Sequence, residues 1–184
     1  QQGVLVERDG QTRTVRLNAT GDPDQIFTAD LTIIFVKSTQ TRAAATTAGR
    51  IAGADGYVMT LQNGMGNADS IAETIAADRI LTRTSSHGAT MLGPGRIRHA
   101  GTGPTTIGSW AATEQGRQGA ARIAELFSRA GIATEVVDDV LSVVWNKLLI
   151  NIGINAVTAL SGIKNGQILD LDIKSTQVFS QCQT

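Results

Sequence analysis

The chain has 184 residues, and a hydrophobic content of 41% with only 4% aromatic residues predicts an aliphatic core in one domain or two small ones. Its 16 basic and 16 acidic residues cancel, which argues against a nucleic acid or an anionic membrane as partner and favours a small molecule or another protein. The lone cysteine, Cys182, excludes an internal disulfide framework and fits a reducing compartment. No apolar run approaches the ~20 residues of a membrane span and the amino end carries no signal region, so we expect a soluble, cytoplasmic protein.

Two pairs of β-rich runs predict two hairpins. The first pair lies on either side of Asp9-Gly10, a dipeptide that favours a tight turn between strands. The second pair, ATML and RIRHAG, is separated by Gly93-Pro94-Gly95. We therefore expect β-hairpins near both ends of the strand-rich part of the chain.

Between the two hairpins the pattern is that of a parallel α/β unit. LTIIFVK after Asp30 is an aliphatic and β-branched run without alternation, which is typical of a parallel strand buried on both faces. Strands of this kind that alternate with short helices predict right-handed crossovers. The predicted elements are a strand at 31–37, a helix at 41–52, a strand at 57–62, a helix at 67–77 and a strand at 80–86.

Two polar residues fall where such a sheet binds its ligands, beyond the carboxyl ends of the strands. Lys37 closes the first parallel strand and Asn63 closes the second. Each alone has an ordinary structural explanation, a solvated charge for Lys37 and a left-handed turn residue before glycine for Asn63. Their occurrence at two neighbouring strand ends favours a binding role.

Gly64-Met65-Gly66 lacks the third glycine and the distant acidic residue of a dinucleotide fingerprint, so it is not counted as a phosphate loop.

A metal centre is not expected. His87 and His99 are the only two histidines and lie too far apart in the sequence for a helical metal pair. No Cys, His and Asp cluster has the spacing of metal ligands.

Helices replace strands near residue 112, and we place a domain boundary there, between residues 1–112 and 113–184. Residues 114–131 form an amphipathic pattern that stops at Gly131. From Gln167 the sequence again has the pattern of a helix. The predicted fold class is α/β: a partial doubly wound parallel sheet, Rossmann-like, followed by the start of an all-helical domain that packs closely against it.

The longest helical pattern runs from Asp139 to Leu160 and is apolar almost all the way round, which predicts a helix buried between neighbours. At about 100° per residue, its polar side chains fall within an arc of roughly 80°. These side chains are Lys147, Asn151, Asn155 and Thr158. One interpretation is core hydrogen bonding, and the other is a row of donors that faces a small polar ligand. The geometry of the helix leaves both interpretations open.

The residues of this helix, W-N-K-L-L-I-N-I-G-I-N-A-V-T-A-L, are followed by Asn165-Gly166 ten residues after Asn155. This arrangement closely resembles the start of the helical domain of ketopantoate reductases, the 2-dehydropantoate 2-reductases that use NADPH to reduce a 2-oxo acid on the way to pantothenate. V-K-S-x-Q after the first parallel strand, Q-N-G-M-G after the second, and S-H-G-A at 86–89 resemble the NADP-contacting loops of the same family. The resemblance covers nearly the whole sequence but only the middle of the family's length.

The resemblance implies the NADPH-dependent reduction of 2-dehydropantoate to pantoate, with Lys147 as proton donor. Hydride transfer to a carbonyl carbon builds negative charge on the oxygen, which a lysine can stabilise and protonate, and desolvation lowers the pKa of a lysine toward neutrality. The implied substrate contacts are Asn63, Asn151, Asn155 and Asn165. The implied NADP contacts are Lys37, Asn63 and Ala89.

The sequence departs from the family at both ends. The family opens with a strand and a G-x-G-x-x-G/A turn that binds the pyrophosphate of NADP, and it has later helices; this chain has neither, so we expect it to be part of a longer protein. A parallel sheet without its first strand would expose apolar surface and favour association, including as a homodimer. Two alternatives stay open: a reductase of the same superfamily for another 2-oxo acid, and a non-catalytic fragment that lacks the dinucleotide-binding turn.

Overall fold

The computed structural model describes residues 3–170, which form two β-sheets and the helices that pack on them. The strands are β1 (Val4–Arg8), β2 (Gln11–Val15), β3 (Leu31–Ile34), β4 (Tyr57–Thr60), β5 (Ile80–Ser85), β6 (Gly88–Gly93), β7 (Arg96–Gly101), β8 (Thr105–Ser109) and β9 (Glu135–Val136). The α-helices are α1 (Thr41–Ala52), α2 (Asn67–Ala72), α3 (Glu114–Arg129) and α4 (Val140–Ser161). A 3-10 helix spans Asn165–Asp170, at the start of the last predicted helix; the rest of that prediction, and Cys182, lie outside the described residues.

The smaller sheet has the strand order β2-β1-β7-β6 and combines the two predicted hairpins, which are both confirmed. Asp9 and Gly10 turn the first hairpin with φ values of 51° and 75°, the left-handed pair that a two-residue turn requires. β1 and β7 pair in parallel, with Leu5 opposite Arg96. Hairpin signals are local, so they could not predict this long-range pairing.

The larger sheet has the order β3-β4-β5-β8-β9, and its first three strands are parallel with α1 and α2 in the crossovers. The predicted α/β unit is therefore confirmed. β8 pairs antiparallel with β5 and parallel with the two-residue strand β9. The sequence TTIGS of β8 holds a single large apolar residue, Ile107, so its pattern did not predict a strand.

Helices cover both faces of the larger sheet. On one face, buried side chains of α1 and α2 pack against Ile34, Val58 and Ile80. On the other face, α3 packs through Ala120, Ile123 and Ala124 against Met59, Leu81 and Ile107. Consecutive residues of β5 thus face opposite sides of the sheet, as the pleat of a strand requires.

β3 is an edge strand and ends earlier than predicted. It stops at Ile34 rather than Lys37, so Phe35 and Val36 continue as irregular chain. Ile33 is 42% exposed and Phe35 is 73% exposed. The expectation of apolar surface along an unpaired edge of the parallel sheet is borne out at this strand.

α4 corrects the prediction of a helix buried between neighbours. Its start packs on the larger sheet, and Val140 is its one fully buried residue. Large apolar side chains farther along are exposed, with Trp145 at 51%, Ile152 at 56% and Leu160 at 91%. An apolar composition predicts burial only if a neighbour covers every side, and among the described residues the sheet covers one side.

The same helix also corrects the statement that nothing in the chain approaches a membrane span. Its 22 residues include an 18-residue window of mean hydropathy 1.5, so by length and composition alone it could cross a bilayer. A single helix of this kind is weak evidence, because a core helix of a globular protein has the same composition. Lys147, Asn151 and Asn155 interrupt its apolar surface.

Candidate active site

A cleft lies between the carboxyl ends of β4 and β5 and the first half of α4. Its cavity volume is ≈ 30 Å³, and the wider ≈ 500 Å³ of empty space around it includes open solvent. Its lining comes from the loop after β4, from β5, from the residue after β8 and from one face of α4. Ligands of parallel sheets bind at this edge, which makes the cleft the candidate site.

The start of α4 sets the position of the helix over the sheet. The Asp139 carboxylate caps the helix by accepting a hydrogen bond from the backbone N–H of Ser142 at 3.0 Å. Val140 packs against Gly108 of β8, where a Cβ would lie 2.6 Å from the Val140 Cβ. Glycine at position 108 therefore allows the helix to approach the sheet closely, and Lys147 follows about two turns later at the cleft.

Lys147 is half-buried and its ammonium donates a hydrogen bond to the carbonyl oxygen of Ser85 at 2.8 Å. Partial burial lowers the pKa of Lys147 below its ordinary value, and the positive charge of Arg83 lowers it further. The Arg83 guanidinium lies 4.7 Å from the centre of the Phe127 ring, on the α3 side of the sheet. Arg83 also lines the cleft, so Lys147 shares it with a second cation.

Of the four amide residues that line the cleft with Lys147, which are Gln62, Asn63, Asn67 and Asn151, the sequence predicted two as substrate contacts. Asn63 lies on the loop after β4, where Gly64 and Gly66 have φ values of 90° and 84°. No atom lies within 4 Å of a Cβ built on either glycine, so the backbone of this loop can be approached closely. Asn151 lies one helical turn beyond Lys147 on the same face of α4.

The structure does not bring the other four predicted site residues into this cleft. Lys37 is exposed and precedes a short 3-10 helix after β3, and Ala89 is exposed on β6 opposite His99. Asn155 is exposed one turn beyond Asn151 on α4, and Asn165 is exposed at the start of the final 3-10 helix. Their assigned roles stay predictions.

Several lining residues escaped the sequence analysis. Val144 and Leu148 of α4 lie on the same face as Lys147 and Asn151, so the helical spacing already contained the signal for them. Other lining residues are Met65, Thr82, Thr84 and Trp110. Trp110 directly follows β8, and no signal placed it because that strand was not predicted.

His87, in the connection between β5 and β6, meets His99 of β7, although the two are distant in the sequence. Nδ1 of His87 and Nε2 of His99 lie 3.0 Å apart, and the rings stack with an angle of 10° between their planes. Burial lowers the pKa of His87, as do the neighbouring His99, Arg83 and Arg8. Within residues 3–170, no group of three or more His, Cys, Asp or Glu residues could hold a metal ion.

Comparison with known proteins adds sequence evidence to this geometry. The family model of the ketopantoate reductase PanE/ApbA matches residues 1–112, and that of its C-terminal region matches residues 139–181. A 2-dehydropantoate 2-reductase from Halobacterium salinarum is 43% identical over 167 residues, which are 90% of this chain and 54% of the relative. The chain thus spans about half of the length of that relative.

Solved structures share the fold. The crystal structure of 2-dehydropantoate 2-reductase from Geobacter metallireducens GS-15 matches with a TM-score of 0.85 at 24% identity, covering 98% of this chain and 62% of that one. A D-mandelate dehydrogenase solved with NADH and anilino(oxo)acetate matches with a TM-score of 0.81 at 16% identity, covering 99% and 66%. Because the family model matches more than half of the sequence, this chain belongs to the ketopantoate reductase family.

Proposed function

We propose that the protein to which this sequence belongs reduces 2-dehydropantoate to pantoate with NADPH, as a step toward pantothenate and coenzyme A. The observation that carries the proposal is the meeting of Lys147, Asn63 and Asn151 in one cleft beyond the carboxyl ends of β4 and β5. The 43% identity to the Halobacterium salinarum reductase supports the same substrate. We place the protein in the cytoplasm, a reducing compartment. The proposed reaction requires neither a nucleic acid nor a membrane.

Lys147 is the proton donor in this proposal. The carbonyl oxygen of the 2-oxo acid gains negative charge during reduction, and an ammonium at hydrogen-bond distance both stabilises that charge and supplies the proton. The hydrogen bond to Ser85 keeps the ammonium at the cleft before substrate binds. The lowered pKa makes the proton easier to release than that of an exposed lysine.

The amides orient the substrate. Asn151, on the same helix face as Lys147, can donate to the carboxylate or hydroxyl oxygens of the 2-oxo acid, and Asn63 reaches the cleft from the sheet side. Asn155 and Asn165 extend the row of amides beyond the cleft, and we propose that they contact the far end of the substrate.

The dinucleotide supplies the hydride when it is bound. The residues present fit part of such a ligand, because the space above Gly64 and Gly66 is open and their backbone can approach it. We propose that Lys37 and Asn63, in the loops after β3 and β4, and Ala89, on β6 of the smaller sheet, contact NADPH. The glycine turn that binds the pyrophosphate in the family has no counterpart in this sequence.

The first experiment measures NADPH oxidation with 2-dehydropantoate, using both this purified chain and a chimera in which it replaces the matching part of the Halobacterium salinarum reductase. NADH is tested in parallel, since the structurally similar D-mandelate dehydrogenase was solved with NADH. We expect turnover in the chimera, and a loss on the order of 10²–10⁴-fold in Lys147→Ala, the usual effect of removing a general acid. Undiminished turnover in Lys147→Ala would refute the role of Lys147. A folded chimera that is inactive on 2-dehydropantoate but reduces another 2-oxo acid would replace the substrate assignment.

We also propose that the chain forms a homodimer through the apolar face of α4. Trp145, Leu149 and Ile152 lie on one side of the helix and are each about half exposed. Exposed apolar surface of this kind favours association. Sedimentation of the purified chain should give a dimer, and Trp145→Glu together with Ile152→Glu should give a monomer.

A further inference from the structure

A chain of hydrogen bonds connects the loop after β3 with the loop after β4, and the proposed mechanism does not use it. Its central members are Thr41 at the start of α1, Gln62 after β4 and Asn67 at the start of α2. Thr41 is 1% exposed and Asn67 is 4% exposed. Buried polar side chains that are fully paired fix one arrangement of the backbone around them.

Gln62 connects the two loops directly. Its Nε2 donates to the carbonyl oxygen of Val36 at 2.8 Å and to the hydroxyl oxygen of Thr41 at 2.8 Å. Its Oε1 accepts a hydrogen bond from Thr60 at 3.1 Å. The side-chain amide therefore has partners on β4, on α1 and on the chain that follows β3.

Thr41 passes the connection on to α2. Its hydroxyl accepts from Gln62, so its single proton is free to donate to Oδ1 of Asn67, at 3.2 Å. This donation fixes the orientation of the Asn67 amide, whose Nδ2 then donates to the carbonyl oxygen of Asn63 at 3.1 Å. Every donor in the sequence of bonds has an acceptor, and the last acceptor belongs to a residue of the cleft.

The two ends of this hydrogen-bond chain adjoin the residues that the proposed function needs. Val36 immediately precedes Lys37, and Gln62 immediately precedes Asn63. The loss of one of these hydrogen bonds would allow the loop after β3 to shift relative to the loop after β4. The bond between Thr41 and Asn67 is buried and those of Gln62 with Thr41 and of Asn67 with Asn63 are partly buried, so at the Thr41–Asn67 bond water cannot replace a lost partner without a change in packing.

We propose that Thr41 and Asn67 are positioning residues that fix the Asn63 loop relative to the Lys37 loop, so that nucleotide and 2-oxo acid are engaged at the same time. This inference rests on the proposed function, because the loops matter for catalysis only if the cleft binds both ligands. Asn67 is among the residues that line the cleft and Thr41 is not, but the role proposed for both requires no contact with a ligand. Their role is to keep the Asn63 backbone in place.

The test compares three threonine substitutions. Thr41→Val keeps the shape of the side chain and removes the hydroxyl, whereas Thr41→Ser keeps the hydroxyl. Thr32→Val is the matched control, because the buried Thr32 hydroxyl on β3 has no hydrogen-bond partner within the described part of the chain. If the hydrogen bonds of the Thr41 hydroxyl fix the loop, only Thr41→Val should change the amide exchange and the KM.

The first measurement is the amide hydrogen exchange of Ser70 in the purified chain, because the Ser70 N–H donates to the carbonyl oxygen of Gly66 in this loop at 3.1 Å, and it requires no activity. The loss of one hydrogen bond shifts the local opening equilibrium, which limits amide exchange, by roughly a factor of ten. We therefore expect about ten-fold faster exchange in Thr41→Val and unchanged exchange in Thr41→Ser and Thr32→Val. Equal exchange in Thr41→Val and the unsubstituted chain would overturn the inference.

The second measurement is steady-state kinetics in the chimera with the Halobacterium salinarum reductase. We expect Thr41→Val to raise the KM for 2-dehydropantoate by about ten-fold while Thr41→Ser restores it. Faster loop exchange together with unchanged KM and kcat would show a purely structural network and overturn the positioning role. A folded but inactive unsubstituted chimera would instead count against the proposed function, and the exchange measurement would then decide alone whether the network fixes the loop.

Discussion

The close contact between α3 and β4 gives a test of the fold that needs no enzymatic activity. Gly119 of α3 is buried against Tyr57, whose hydroxyl donates a hydrogen bond to the carbonyl oxygen of Gln115 at 3.2 Å. A Cβ at position 119 would overlap the Tyr57 ring and lie 2.7 Å from its hydroxyl oxygen. Gly153 of α4 is the matched control, since no atom lies within 4 Å of a Cβ built there.

The same substitution should have opposite effects at the two positions. Replacing glycine by alanine inside a helix normally stabilises it by about 1 kcal/mol, and we expect that gain for Gly153→Ala. At Gly119 the gain is offset, because forcing a methyl into a packed interface costs roughly 1–3 kcal/mol and displacing the Tyr57 hydroxyl loses a hydrogen bond of about 1 kcal/mol. We therefore expect Gly119→Ala to lower the free energy of unfolding by about 1–3 kcal/mol.

Urea unfolding followed by circular dichroism measures both changes. Adding Tyr57→Phe to Gly119→Ala should recover little, because the ring itself causes the overlap, whereas Tyr57→Ala should relieve it. If Gly119→Ala stabilises the chain as much as Gly153→Ala does, then Gly119 does not contact Tyr57. That result would refute the packing of α3 on the larger sheet described above.

Three further predictions concern the site and the pH dependence of stability. Asn151→Ala and Asn155→Ala should each weaken use of the 2-oxo acid more than binding of the nucleotide in the chimera, with the larger effect at Asn151, which lines the cleft; a defect mainly in nucleotide binding would contradict the row of substrate amides. Hydrogen bonds in the first turn of α4 lower the pKa of Asp139. Its contribution to stability is therefore present above the ordinary carboxyl pKa and is lost as pH falls through the lowered pKa. The difference in unfolding free energy between wild type and Asp139→Ala should shrink in acid. Burial and the neighbouring His99 lower the pKa of His87, so unfolding should become easier as pH falls below about 6.5, and His87→Gln should flatten that part of the stability–pH curve.

Local patterns predicted the elements that depend on local physics. The signals for three elements lie within a few residues: the unalternating run at 31–37, of which the first four residues form the strand, the alanine-rich helix α1 and the Asp9-Gly10 turn. β8 and the pairing of β1 with β7 depend on partners far away in the sequence. In these cases the strand is stabilised by its neighbours, and its own residues give little indication of it.

In the candidate site, too, local patterns predicted some features, and others depend on contacts between distant parts of the sequence. Helical spacing put Lys147 and Asn151 on one face of α4, and the carboxyl-end rule put Asn63 at the same edge of the sheet as the strand ends. Which turn of the helix meets the sheet depends on the Val140 contact with Gly108, which periodicity cannot give. For that reason the sequence could not separate Asn151, which lines the cleft, from Asn155, which does not.

The partial burial of Lys147 suits the role of proton donor that we propose for it. A fully exposed lysine would keep its ordinary pKa and release its proton reluctantly, while a fully buried lysine would be costly to charge and would leave no route for substrate. α4 provides the intermediate case, because Val140 at its start is buried and large apolar side chains beyond Lys147, such as Leu149 and Ile152, are exposed. The Ser85 carbonyl then compensates part of the desolvation while leaving the ammonium next to Asn151 and the open side of the cleft. The incomplete burial of α4 that exposes its apolar face therefore also leaves Lys147 only partly buried, as the proposed role requires.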